Sequence, residues 1–346
     1  MTLKTLNLHL TNRCNMRCRH CVYSSGEQSI EEMNYPEIKK IINEFFRISD
    51  GRGTLNIFGG EVFLRKDIFR IINLALSKNL NVGITTNVNF SQDIIDKICR
   101  TKISRLAVDI DGANATSHDW LRNNKGHFEK TLKAIKCFLK AGIFTTSHTV
   151  LHKKNAKEVN ALLKMGQKIG INFMSFYFFT SLGRGKKIKD LVIDPQNWIE
   201  IRKKIKKWAN NNSPNFGIIW ERSYEYVNKM GGLSSDLCRG KPADVVDVRC
   251  DGNVYLCGLL EAVDFGCLGN VKKETLRKIL GRRQECAVGI EAGCASLAYG
   301  SNPEKLIDPR PSTDKIFPVC PYNWELLYGS LPDLKRKFAH IDSWIS

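Results

Sequence analysis

Near the start of the chain, Cys14, Cys18 and Cys21 fall four and three residues apart in the stretch Cys14-Asn15-Met16-Arg17-Cys18-Arg19-His20-Cys21. Thiolates are soft ligands that suit iron–sulfur clusters or zinc rather than hard cations, and one loop can fold three of them onto one inorganic centre. The ligand count separates those two readings. A structural zinc site wants four protein ligands, for which His20 is the obvious local fourth. A four-iron four-sulfur cluster held by three cysteines instead leaves one iron open to an outside ligand, and an open iron can do chemistry.

Cysteine density rises again at Cys238, Cys250, Cys257, Cys267, Cys286, Cys294 and Cys320. The chain has twelve cysteines and shows no export signal. That combination argues for metal ligation in a reducing compartment rather than for a disulfide framework. Cys99 and Cys137 sit inside helical patterns and read as buried apolar residues.

The elements that must position these thiols follow from periodicity. Strand-like runs at 3–10, 54–58, 81–86, 105–110, 144–151 and 172–179 alternate with helical stripes such as Ile38, Ile41, Ile42 and Phe45. Ser91 stands where it can cap the third helix. Asn155-Ala156-Lys157-Glu158 has the spacing of a capping box, and Asp194-Pro195 opens the sixth helix with proline in its first turn. Six successive βα units predict an α/β fold with a parallel sheet and right-handed crossovers. Periodicity leaves an open sheet and a barrel both possible. Polar groups collect at the strands' carboxyl ends, where parallel α/β folds place their sites. They are Gly59-Gly60-Glu61, Thr85-Thr86-Asn87, Asp109-Ile110-Asp111-Gly112 with His118 and Arg122 beyond it, and Gly183-Arg184-Gly185.

The Cys-x3-Cys-x2-Cys loop, followed in order by Gly59-Gly60-Glu61 and by the Asp109 to Phe128 stretch, resembles the radical S-adenosylmethionine (radical SAM) superfamily. That resemblance implies a partial (β/α)6 barrel over residues 1–210. It also implies a four-iron four-sulfur cluster on Cys14, Cys18 and Cys21, whose open iron chelates SAM. Gly59, Gly60, Glu61, Thr85, Asn87, Asp109 and Arg122 would contact SAM. Two departures from the family pattern stand out: Val62 replaces the usual proline, and Asp109 replaces the usual serine. Beyond a bridging stretch at 211–235, Cys238 and Gly252-Asn253-Val254-Tyr255-Leu256-Cys257 resemble the start of a SPASM or twitch domain, implying a small auxiliary iron–sulfur domain over 236–346. The closely spaced cysteine run of a full SPASM domain is absent, so one auxiliary four-iron four-sulfur cluster is expected. Its ligands would be Cys238, Cys257, Cys294 and Cys320, with Cys286 as the alternative. Cys250 and Cys267 are candidate hydrogen-atom donors.

The architecture also resembles maturases that epimerise or crosslink ribosomally made peptides, and such a peptide is the expected substrate. A small-molecule dehydrogenase or epimerase acting on a sugar or aminoglycoside is the alternative. A non-catalytic iron–sulfur or zinc protein that binds nucleic acid is a third class. The net charge of +18 gives a field suited to acidic partners such as a flavodoxin or ferredoxin electron donor. Lys186, Lys187 and Lys189 form the densest local run, but no aromatic-interleaved nucleic-acid motif accompanies it. No apolar run is long enough to span a membrane, so a cytoplasmic location is expected. Strand one begins almost at the first residue, which leaves leader-peptide binding to a separate protein or to the basic surface.

Overall fold

Along β1 (Thr5–Thr11), Leu6, Leu8 and Leu10 alternate with Asn7, His9 and Thr11. A strand sends successive side chains to opposite faces, so the leucines join the helix-packed core while the polar set lines the barrel's inner wall. In the computed structural model, the described residues are 3–27, 29–193, 195–221, 245–256, 258–262, 267–282 and 324–326.

Six parallel strands follow one another in chain order: β1, β2 (Thr54–Gly59), β3 (Asn81–Thr86), β4 (Arg105–Asp109), β5 (Thr145–Leu151) and β6 (Phe173–Phe178). The main connecting helices are α1 (Tyr35–Ile48), α2 (Ile68–Leu76), α3 (Gln92–Cys99), α4 (Ala115–Arg122), α5 (His127–Lys140), α6 (Val159–Ile169) and α7 (Pro195–Asn212). Helix α1 shows why the pattern is legible. Its Ile38, Ile41, Ile42 and Phe45 are buried, and Asn34 and Glu37 close a reciprocal capping box at its start.

The sheet runs further than the six βα units predict. Strand β7 (Gly217–Glu221), inside the stretch expected to bridge two domains, pairs in parallel with β6. Strand β8 (Val245–Val248) pairs in parallel with the other edge of β1, and β9 (Asn253–Tyr255) and β10 (Gly269–Asn270) extend it antiparallel. The short β11 (Trp324–Leu326) pairs antiparallel with β7. Two short helices, α8 (Gly258–Ala262) and α9 (Leu276–Gly281), flank β10 in the chain. Edge strands carry unpaired main-chain groups, and segments from beyond residue 210 satisfy them on both sides.

Two expected caps differ. Ser91 occupies the N-cap of α3 without a side-chain hydrogen bond. Asn155 and Glu158 do not cap a helix but brace the loop after β4. Asn155 Nδ2 donates to the Asp111 carbonyl at 2.8 Å, and Glu158 Oε2 accepts from the Ala113 N–H at 2.8 Å and from Ser117 Oγ at 2.7 Å. Partners distant in sequence outcompete the local bond that the spacing alone suggests.

Candidate active site

The cysteine loop leaves β1 with no regular structure, so its main-chain groups need partners from elsewhere. Three arginines supply them. Arg184 donates to the Cys18 carbonyl at 2.8 Å and the Ser25 carbonyl at 3.0 Å, and its own N–H reaches the Cys21 carbonyl at 3.0 Å. Arg17 donates to the carbonyls of Cys14 and Gly26, at 2.9 and 2.7 Å. Arg19 donates to the Trp120 carbonyl at 2.9 Å, and its N–H reaches the Leu121 carbonyl at 2.9 Å. Of these, Arg184 belongs to the Gly-Arg-Gly turn after β6, so its guanidinium clamps the loop rather than lying open.

Sulfur-directed donors complete the picture. The Met16 N–H lies 3.4 Å from Cys14 Sγ, Asn87 Nδ2 lies 3.6 Å from the same sulfur, and Arg122 Nη1 lies 3.8 Å from Cys18 Sγ. Burial pushes the Cys14 thiol up and the Cys18 thiol up to about 11, so a bound soft metal is what would hold them as thiolates. Among the described residues, no three His, Cys, Asp or Glu side chains converge as ligands of a single ion, as a mononuclear zinc site requires. A cluster takes each thiolate on a different iron, and the donors aimed at sulfur are the kind that tune its potential. His20 lies instead among Asp111, Arg122 and His152, with burial pushing its imidazole down to about 4.

The Gly59-Gly60 turn is laced to the same loop. The Gly60 N–H donates to the Thr11 carbonyl and the Glu61 N–H to the Arg13 carbonyl, both at 2.8 Å. A side chain at residue 60 would overlap the Arg13 carbonyl, and Gly59 sits at a φ of +150, so the approach requires glycine at both positions. Glu61 is fully buried and accepts from the Phe63 N–H at 3.0 Å, the Asn87 N–H at 2.8 Å and Thr86 Oγ1 at 2.8 Å. Its carboxylate therefore holds the turn to the end of β3. Burial pushes it up to about 7 despite those donors. Thr86, rather than its neighbour Thr85, makes this contact; Thr85 is half-buried.

At the end of β4, Arg122 lies between two carboxylates, with Nη2 3.0 Å from Asp109 and Nε 2.6 Å from Asp111. Burial pushes Asp109 up to about 6. Asp111 is also buried, but the Arg122 guanidinium and nearby imidazoles hold it down to about 2. A histidine pair backs this cluster. His118 Nδ1 accepts from the Asp111 N–H at 3.1 Å, so its proton sits on Nε2, 2.9 Å from His127 Nδ1. The Nε2–H of His127 then donates to the Asn87 carbonyl at 2.7 Å. One chain of hydrogen bonds thus joins the Arg122 cluster, which reaches Cys18, to the Asn87 segment, which reaches Cys14. The sequence marked His118 by its motif; nothing local marked His127 as its partner.

Residues 8–166 match the family model described as the radical SAM superfamily. Residues 8–166 form a radical SAM domain. An AdoMet-dependent heme synthase of Methanosarcina barkeri is 33% identical over 178 residues, covering 51% of this chain and 50% of the relative. The antilisterial bacteriocin subtilosin biosynthesis protein AlbA of Bacillus subtilis is 28% identical over 181 residues, 52% of this chain and 40% of AlbA. The chain thus spans about half the length of these relatives. Among solved structures, native anSMEcpe with bound AdoMet and Kp18Cys peptide has a TM-score of 0.68 at 16% identity, covering 100% of this chain and 99% of its own, a likeness of fold.

A radical SAM domain takes SAM and one four-iron four-sulfur cluster, and the three thiols, their sulfur-directed donors and the glycine turn fit that pair. Outside the domain, Cys250 is buried, and burial pushes its thiol up to about 12, with Glu32 and Glu261 among the charges acting on it. Cys267 is exposed, its sulfur 3.4 Å from the Gly269 carbonyl. Cys99 and Cys137 are half-buried on α3 and α5, with Cys99 Sγ 3.7 Å from the Cys137 carbonyl. Cys238, Cys257, Cys286, Cys294 and Cys320, the expected auxiliary-cluster ligands, lie outside the described residues.

Proposed function

We propose that this chain is an enzyme that reductively cleaves SAM and abstracts a hydrogen atom from a ribosomally made peptide, in the course of epimerising or crosslinking it. The observation that carries the reading is the three-thiol loop. Its main chain is fixed by Arg17, Arg19 and Arg184, and its sulfurs meet donors from Asn87 and Arg122. Cys14, Cys18 and Cys21 would hold a four-iron four-sulfur cluster that, once reduced by an external donor, would supply the electron for reductive cleavage of SAM.

The chain's own part is positional. Gly59 and Gly60 let main chain approach the ligand, Asn87 and Arg122 orient groups beside Cys14 and Cys18, and the barrel wall excludes water. Glu61, Thr85 and Asp109 complete the proposed SAM-contacting set. An auxiliary cluster on Cys238, Cys257, Cys294 and Cys320, or with Cys286 in place of one of the last two, would pass electrons, in an auxiliary domain at 236–346. Cys250, which is buried, and Cys267, which is exposed, are the candidate hydrogen-atom donors. An acidic flavodoxin or ferredoxin is the electron donor that the basic surface suits.

A peptide substrate is supported by the relative that takes part in bacteriocin biosynthesis and by the peptide-bound fold neighbour. A small-molecule substrate is the second reading, favoured by the higher identity to a heme synthase. Anaerobic reconstitution with SAM and dithionite tests the chemistry: 5′-deoxyadenosine is expected, and its absence rejects the reading. Co-expression with a peptide encoded beside the enzyme, read by mass spectrometry, tests the substrate. Mass unchanged in water but raised by one unit in deuterium oxide marks epimerisation, and loss of two units marks crosslinking. A peptide left unaltered in both solvents points to the small molecule.

A further inference from the structure

On the β1 side of the barrel wall, His9 Nδ1 is hydrogen-bonded to Glu261 Oε1, joining the first strand to α8 across most of the sequence. Both residues are 2% exposed. The far atom of each, His9 Nε2 and Glu261 Oε2, is buried with no hydrogen-bond partner. Buried polar atoms left unpaired lower stability, so a chain that keeps two of them side by side has a use for them.

Their chemistry specifies the ligand. With the carboxylate accepting from Nδ1–H, Glu261 Oε2 is an open acceptor, and in the neutral tautomer His9 Nε2 is a second. A group that meets both atoms in that tautomer brings donors. An arriving cation would favour the ionised form of the second carboxyl nearby. Asp247 lies 4% exposed beside Glu261, held by Asn7 Nδ2 at 3.3 Å, and burial together with the Glu261 charge pushes its carboxyl well above the usual range. No arginine or lysine is ion-paired with either carboxylate among the described residues. Two half-buried aromatic rings border the pair: Tyr23 at 4.7 Å between ring centroids, its hydroxyl bound to the Gly258 carbonyl, and Phe58 stacked at 5.3 Å. Carboxylates beside aromatic faces attract cations.

We propose that His9 and Glu261, with Asp247, Tyr23 and Phe58 around them, form a cation-accepting subsite that takes an ammonium or guanidinium group of the substrate, such as a lysine or arginine side chain. The subsite's place in the wall serves the reaction proposed above, on which its role rests. A Cβ on Gly59 would lie 2.9 Å from the His9 ring, and Tyr23 follows Cys21 by two residues, so a cation held here tethers its carrier beside the cysteine loop.

The test uses oxygen-free holoenzyme and n-butylammonium chloride as a lysine-side-chain probe, with potassium chloride at equal ionic strength as the control. Binding to the folded state should raise the wild-type melting temperature by about 2 °C or more at saturating probe, and Glu261→Gln should abolish the rise. The double variant His9→Phe/Glu261→Leu, which removes both unpaired acceptors, should melt no lower than wild type. An equal probe response in wild type and Glu261→Gln overturns the proposal, as does a fall of more than about 2 °C in the double variant, the mark of a purely structural pair. Neither arm needs a peptide, so a peptide left unprocessed sinks the functional reading while the subsite is still decided here.

Discussion

Two clusters of acid and imidazole face the mouth of this barrel, and they are built on opposite rules. On the β4 side, Asp109 and Asp111 share Arg122, His118 donates a hydrogen bond to His127, and the chain of bonds ends on the Asn87 carbonyl. On the β1 side, His9 and Glu261 hold each other, but each keeps an atom without a partner, and Asp247 beside them shares no cation among the described residues. A closed network of buried charges fixes geometry; an open one marks a place where something else must arrive. The closed side braces the loop that carries the three thiols, and the open side adjoins that loop through Tyr23 and Gly59.

The largest effect should come from the loop itself. Cys18→Ala removes the most buried of the three thiols, and reconstituted protein should then lose iron and sulfide at this centre and form no 5′-deoxyadenosine, read by metal analysis and chromatography. Next is Arg122→Met, which leaves two buried carboxylates without their cation. Removing one partner from such a buried pair lowers stability by about 3–5 kcal/mol, so the urea midpoint should drop sharply. A drop under about 1 kcal/mol would mean that the β4 side is no more closed than the β1 side, and the contrast between them would fail.

What the sequence reveals follows the same division. The six strands, the thiol loop and the Gly59-Gly60-Glu61 turn are written in local spacing, and they emerge at the strands' carboxyl ends where that spacing puts them. The clamp by Arg184 on Cys18, the link from His127 to Asn87 and the pair of His9 with Glu261 join residues 166, 40 and 252 positions apart. No period or motif encodes such partners; only the folded sheet brings them together. The same limit explains Asn155 and Glu158, whose capping spacing is real but whose side chains find better partners on the loop after β4. It explains β8 too, a four-residue strand that forms because β1 offers it an open edge.

The smallest effect is a change of slope, and it reads the closed side directly. Burial pushes His118 down to about 3 and His127 down to about 4, below the ordinary imidazole value of 6.5. Protonating His127 would set an N–H against the Nε2–H of His118, so the folded chain keeps both rings neutral while the unfolded chain binds their protons below pH 6.5. Their contribution to stability is thus fully present above that value and is lost as pH falls toward the folded values. Each such ring contributes a slope of about 1.4 kcal/mol per pH unit within that window. Glu61 and Asp109, pushed up to about 7 and about 6, act with the opposite sign, since their stabilising protonated forms are lost as pH rises. The wild-type curve is therefore a sum, and only a difference isolates one ring. His127→Asn should flatten the fall in urea-derived stability between pH 6.5 and 4.5 by about one proton, or about 1.4 kcal/mol per pH unit. An unchanged slope would show that His127 already takes up its proton in the folded state, and the directional chain from Asp111 to Asn87 would not exist as drawn.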